Sequence, residues 1–211
     1  MKSHEYIVIC GINRSKVGKI LGGIASLLSA GLIYTVLLLL ARFDIFSSES
    51  TIPPFVSSLL SAGAIYVVLY AWFDSSLWKR QKIARFLKIP DLSGEWDCIG
   101  EGRDKEGKTY NWNALIKIAQ TWDKVHIRMQ TAQSGSDSVA ASIIYDEGIG
   151  YRLIYNYRND PKINEPELHS HMGFAEFTFN EDISSAEGEY FNGRGRNTFG
   201  TMSIKRKKND Q

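Results

Sequence analysis

Two stretches of the chain carry no charged residue at all. Ile20 to Ala41 reads ILGGIASLLSAGLIYTVLLLLA and Ile52 to Phe73 reads IPPFVSSLLSAGAIYVVLYAWF, each 22 residues without Asp, Glu, Lys, Arg or His. A helix of that length rises about 33 Å, enough to cross a hydrocarbon core of about 30 Å. Both runs are apolar on every face and lie only ten residues apart, which argues against a buried hairpin of a soluble core. The pattern predicts two transmembrane helices. A cleaved leader is not expected, because the first run continues eleven residues past Ala30 and a second span follows it.

The runs share a nonapeptide, SLLSAGLIY at 26–34 and SLLSAGAIY at 58–66. Gly22, Ser26 and Ala30 recur every four residues along the first span, as Ser58 and Ala62 do along the second. Small residues at that spacing let helix backbones approach closely. The seam either pins the two spans together within one chain or, with Tyr34 and Tyr66, also joins separate chains.

After Asp91 the apolar runs give way to short alternating stretches. Val125, Ile127 and Met129 alternate with His126, Arg128 and Gln130, and the tyrosines of YRLIYNYR alternate with Arg152, Ile154, Asn156 and Arg158. Strands are expected at 94–101, 108–119, 123–131, 138–146, 149–158, 169–180, 184–192 and 197–206, parted by turn-forming clusters such as QSGSD, DEGIG and NGRGRN. Eight up-and-down strands close most economically as a small antiparallel barrel, which abolishes sheet edges. A sandwich is the alternative.

Between the two regions, SSLWKRQKIARFLKIP (75–90) sets Leu77, Ile83, Phe86 and Leu87 near one helical face, basic residues on the others, Ser75 or Ser76 as a cap and Pro90 as a stop. A basic amphipathic helix of this kind lies against anionic headgroups. The expected division is a cytoplasmic N-terminal segment (1–19), a two-helix transmembrane hairpin (20–73), a basic juxtamembrane linker helix (74–90) and a cytoplasmic β-barrel ligand-sensing domain (91–211).

Lys and Arg flank both ends of the apolar region, whereas the connection 42–51 holds only Arg42 against Asp44 and Glu49. The positive-inside bias places both termini in the cytoplasm. The whole chain carries +2, yet residues 91–211 have 15 basic and 19 acidic groups, a net of −4. That balance excludes a polymeric nucleic acid as the expected partner.

Several motifs match a pattern without its context. Gly102 to Thr109 reads G-x-x-x-x-G-K-T, but an alternating strand follows where a phosphate-binding loop needs a helix. His169 and His171 could share one side of a strand, yet no third ligand stands at fixed spacing, so no metal is expected. Cys10 and Cys98 are expected to be free thiols. The residues give no positive sign of catalysis, and no cofactor is expected.

Groups suited to a nucleotide gather in three places. Tyr151, Tyr155, Tyr157 and Arg158 lie in YRLIYNYRND; Arg194, Arg196, Asn197 and Thr198 lie in NGRGRNTFG; Tyr110 and Trp112 lie in KTYNWN. Arg forks onto phosphate, aromatic rings stack on bases, and Asn or Thr bonds base edges. A rival reading is a membrane-tethered lipocalin-like barrel for an apolar molecule or lipid, which a cavity lined by Met172, Phe174, Phe177 and Phe179 without Arg would favour. A protein-docking module is a second rival.

The opening Leu92-Ser93-Gly94-Glu95-Trp96 resembles the G-x-W start of lipocalin-type barrels, where Trp plugs the closed end and a basic residue of the last strand lies over it; Lys205 or Arg206 stands in that place. Two spans, a basic collar and a β domain running from LSGEW to GRGRNTFGTMSIKR together resemble the two-transmembrane, β-strand-rich effectors of bacterial CBASS antiphage systems, the CD-NTase-associated protein 15 group. The resemblance covers essentially the whole chain. It implies a cyclic dinucleotide or other cyclic oligonucleotide ligand in the barrel, oligomerisation with copies of itself in the inner membrane, membrane disruption and abortive death of the infected cell.

Overall fold

The computed structural model describes residues 3–42, 57, 60–104, 106–165, 168–193 and 197–207. They divide into two compact units, 12–78 and 1–11 with 79–211.

In the first unit, Asn13 opens helix α1 (Arg14–Arg42): its Oδ1 accepts from the Ser15 N–H (2.8 Å) and its carbonyl from the Lys16 N–H (3.0 Å). At 29 residues the helix is apolar and long enough to span a bilayer. Helix α2 (Ala62–Ser75) is capped by Ser61, whose hydroxyl accepts from the Ala64 N–H. Residues 52–56, 58 and 59 of the second expected span lie outside the described residues. Leu27, Val67 and Val68 stand 77%, 65% and 69% exposed, an apolar surface suited to lipid rather than water.

The buried stripe on α1 is Val17, Leu21, Ala25 and Ser29, and the Ser29 hydroxyl donates to the Leu60 carbonyl at 2.6 Å. This four-residue period is the expected one, shifted by one position. Gly22 faces open space, Ser26 and Ala30 are exposed, and the Ser26 hydroxyl donates to Gly22 O of its own helix. The buried row carries Val17 and Leu21 where the neighbouring row has Gly18 and Gly22, so the row of smallest residues is not the one packed within the chain. Ala62 is half-buried, and Ser58 lies outside the described residues. Tyr34 is 64% exposed, while the Tyr66 hydroxyl lies at Gly18.

The second unit is a closed barrel of nine strands. Eight follow one another up and down: β2 (Gly94–Arg103), β3 (Thr109–Gln120), β4 (Lys124–Gln130), β5 (Ser134–Asp146), β6 (Gly150–Pro161), β7 (His171–Phe179), β8 (Ser185–Asn192) and β9 (Phe199–Arg206). β9 returns to β2, and β4 meets β5 through Arg128–Asp137 to Gln130–Gly135. Inward positions carry the core, with Trp96, Ile116, Ile127, Ile143, Leu153, Phe177, Met202 and Ile204 all buried.

The ninth strand corrects the expected division. β1 (His4–Ile9) belongs to this unit although it precedes α1: it pairs antiparallel with β4 at His4–Val125 and parallel with β5 from Tyr6–Ala141 to Ile9–Ile144. Away from their turn, β4 and β5 part around a bulge between Ser138 and Ala140, and β1 fills the opening. Tyr6 anchors it, 3% exposed, donating to Thr121 O and accepting from Gln120 Nε2, both at 3.2 Å. The alternation HEYIVI is short and sits before a dominating apolar run, which is why it reads as part of a tail.

The expected Trp plug is present. Trp96 is fully buried, donates Nε1–H to Leu92 O (3.1 Å), and carries the Arg206 guanidinium 4.5 Å above its ring. Arg206 also donates to Ser93 O and Asp91 O, so of the two basic candidates it is the one over the indole. The linker is shorter than expected: a 3₁₀ turn (Leu77–Lys79), then helix α3 (Gln81–Leu87), preceded by Arg80 and ended by Lys88 at φ 57°. Ser75 and Ser76 donate to Trp72 O instead of capping it, and Phe86 is 68% exposed. The phosphate-loop look-alike is a hairpin turn, its Asp104 Oδ1 accepting from the Lys108 and Glu106 N–H groups.

Candidate ligand-binding site

At the end of the barrel away from Trp96, the interior opens into a cavity of about 330 Å³ lined by Tyr110, Trp112, Tyr157 and Tyr190 with Asn159 and Asn192. How the sheet seats these large rings follows from their cross-strand partners. Trp112 pairs with Gly100, Tyr110 with Gly102, Tyr157 with Gly173 and Tyr190 with Gly200. A Cβ at Gly100 would lie 2.2 Å from the Trp112 ring, and one at Gly173 2.3 Å from the Tyr157 ring. Trp112, Tyr110 and Tyr157 each lie across the bare backbone opposite them, and the Tyr190 hydroxyl also lies at Gly102, as close packing in a small barrel demands.

Hydrogen bonds hold the wall. Trp112 Nε1–H donates to Tyr190 Oη (3.1 Å), with the two rings edge-on at 5.5 Å. The Tyr157 hydroxyl donates to Asn192 Oδ1 (2.9 Å), and Asn192 Nδ2 donates to Thr198 Oγ1 (2.7 Å). Asn192 and Thr198 also bond through their backbones at 2.8 Å, closing the neck of the β8–β9 loop. One pair nearer the open end, Asn159 Nδ2 donates to Ser134 Oγ, while Asn159 Oδ1 is buried without a donor among the described residues. A buried acceptor left so is costly, and a ligand N–H that reached it would satisfy it. Below it, Tyr155 stacks on Phe177 at 6.4 Å; its hydroxyl is also buried without a partner among the described residues, and burial raises its pKa well above the ordinary phenol value.

Of the residues expected to meet ligand, Tyr110, Trp112 and Tyr157 line the cavity, and Thr198 is bonded to its rim. Tyr155 lies in the core below it, and Asn197 is exposed in the β8–β9 loop at φ 43°. Tyr151 sits toward the Trp96 end beside Tyr145. Arg158 points outward and pairs with Asp160 at 3.2 Å. Arg194 and Arg196 lie outside the described residues, and no Lys or Arg lines the cavity among those described. Tyr190, Asn192, Asn159, Ser134 and His171 were missed. Their signal was parity, since EYFN and NDP continue alternations whose inward phase the neighbouring residues set.

Phe177 and Phe179 belong to the closed core. Met172 is 37% exposed, and Phe174 stacks on the exposed Phe191 on the outer surface. The four residues that would line an apolar carrier's cavity therefore do not line one together. His171 Nδ1 lies 3.0 Å from the His169 carbonyl, and His169 precedes the strand. Cys98 is buried in the barrel and Cys10 exposed, both free.

A family model described as the Cap15 cyclic dinucleotide receptor domain matches residues 87–206, and one described as the Cap15 TM helices matches residues 15–79. A curated relative, the CD-NTase-associated protein 15 of Yersinia aleksiciae, is 55% identical over 206 residues, which cover 98% of each chain. The chain belongs to the Cap15 family: it is a membrane protein with that family's receptor domain.

Proposed function

We propose that this Cap15 family member is an antiphage CBASS effector whose barrel takes a cyclic dinucleotide at its open end, and whose helices then assemble in the bacterial inner membrane and disrupt it. The observation that carries the receptor half is the cavity: four aromatic rings, three of them preset over glycines, with a buried amide acceptor for a base N–H. The phosphates fall to Arg194 and Arg196, which the sequence places in the loop whose neck Asn192 and Thr198 close.

The helices form a hairpin with both termini in the cytoplasm. β1 supports this reading strongly. It precedes α1 and shares one barrel with strands that follow α2, so the segment between them crosses the bilayer an even number of times. With Lys and Arg on both flanks, that shared side is the cytoplasm, where a soluble messenger reaches the cavity. The messenger drives assembly only as far as it binds the assembled form better than the single chain. Gly22, Ser26 and Ala30, left free by the intrachain contact, supply a face for a second copy.

The test is a thermal-shift panel of cyclic di- and trinucleotides against the full chain in detergent, beside growth of cells co-expressing the cognate cyclase. At least one cyclic dinucleotide raises the midpoint, and co-expression arrests growth. A panel without any shift overturns the receptor reading.

A further inference from the structure

The opposite end of the barrel carries a second cavity, an open cleft of about 550 Å³ between α3 and the β7–β8 turn. Its floor is fixed. Lys79 reaches Ser93 Oγ (2.9 Å) and Asp91 (3.6 Å), and Arg206 is held over Trp96 by two backbone carbonyls. Arg206 Nε–H is buried there without an acceptor among the described residues, which leaves positive potential in the floor. The walls carry both signs. Arg85 and Gln81 stand on α3, Glu181 and Asp182 on the turn, and Ile89, Pro90 and Ile183 add apolar surface. Among the described residues, the Arg85 and Glu181 side chains have neither hydrogen bond nor ion pair.

A cleft with an unspent cation on one wall and an unspent carboxylate on the other fits a zwitterion. Covalent reach says which kind. Lys79 follows Ser75, the end of α2, by four residues, and four residues span at most about 14 Å. The headgroup layer on each side of the hydrocarbon is about 5–7 Å deep. The chain therefore tethers Lys79 within about 14 Å of the end of the apolar helix, a tether on the scale of the headgroup layer. We propose that this cleft is a headgroup site for an aminophospholipid of the phosphatidylethanolamine type, the phosphate on Arg85 and Gln81 and the primary ammonium on Glu181 and Asp182. Phosphatidylcholine lacks the N–H donors that the carboxylates require, and phosphatidylglycerol lacks the cation.

The test uses the full chain reconstituted in nanodiscs of phosphatidylcholine with equal minor fractions of phosphatidylethanolamine and phosphatidylglycerol, released gently and weighed by native mass spectrometry. The wild type retains phosphatidylethanolamine above its share. Arg85→Ala and Glu181→Gln each lower that retention about tenfold, the value of one charge-assisted hydrogen bond. Soluble glycerophosphoethanolamine does not displace the lipid. Equal retention of the three lipids, unchanged retention in both variants, or ready displacement by the soluble headgroup overturns the proposal. Neither residue lines the open-end cavity, so both variants keep any cyclic dinucleotide shift, and failure of the nucleotide panel leaves this result standing.

Discussion

The Trp112 indole lies flat across Gly100, its partner on the neighbouring strand, with no room for a Cβ between ring and backbone. The pair sits at the level where closed core becomes open cavity, so one glycine governs both packing and access. Gly100→Val drives the indole into the cavity. It costs about 1–3 kcal/mol of stability by overpacking and removes the ligand-induced thermal shift even where the barrel still folds. Thermal unfolding with and without cyclic dinucleotide reads both.

Asn192 joins Tyr157 to Thr198 through one amide. Asn192→Ala leaves only the backbone bond to Thr198 across the neck of the β8–β9 loop and leaves two hydroxyls seeking partners. Stability falls by about 1–3 kcal/mol, and cyclic dinucleotide affinity falls more than that of Arg158→Ala, whose side chain points away from the cavity. Calorimetric titration of the two variants orders them; equal losses would remove the open end as the binding site.

At the plugged end, Arg206→Met keeps the stem over Trp96 but strands the Asp91 and Ser93 carbonyls. The barrel loses about 1–3 kcal/mol, seen as a lower unfolding midpoint. Lys205→Met, on the adjacent outward position, leaves the midpoint within experimental scatter.

Tyr6 holds β1 in its slot. Tyr6→Phe removes the contacts to Thr121 and Gln120 and costs about 1 kcal/mol, whereas Tyr6→Ala costs about 3–5 kcal/mol and opens the seam between β4 and β5. Amide hydrogen exchange at residues 141–144 reports the difference: protection survives in the first variant and collapses in the second.

The two thiols behave oppositely. Burial pushes the Cys98 thiol up to about 12 from a reference of 9.0, while Cys10 is exposed. A thiol reagent labels one cysteine in the native protein and two in denaturant. Because the folded state holds the Cys98 proton longer than the unfolded chain, stability falls as pH rises from about 9 toward 12, and the buried Tyr155 phenol adds to the fall in the same direction. Below pH 9 neither group contributes a slope. Denaturant titrations at pH 7, 9 and 10.5 check the sign.

Much of this architecture was legible because strand alternation and apolar run length are local signals. The eight strands from Gly94 to Arg206 appear within a few residues of their expected limits, and Trp96 with Arg206 fits a short motif. What the sequence hid depends on distant pairing. HEYIVI becomes a strand only because a bulge near Ser138 opens a slot for it. Tyr190 and Asn192 join the site only because register sets them beside Trp112 and Tyr157. The intrachain face of α1 lies one position from Gly22, Ser26 and Ala30, and spacing of small residues alone does not say which face packs within the chain and which between chains.

The slot that receives β1 also sets a schedule. Tyr6 leaves the ribosome early, yet its neighbour Ala141 follows only after both apolar segments have been made, a delay on the order of ten seconds at ordinary rates of synthesis. β1 waits unpaired until the strands on both sides of its slot have been made. A chain released before residue 144 therefore has an anchored tail with no groove to enter, and only a finished polypeptide is latched at both ends.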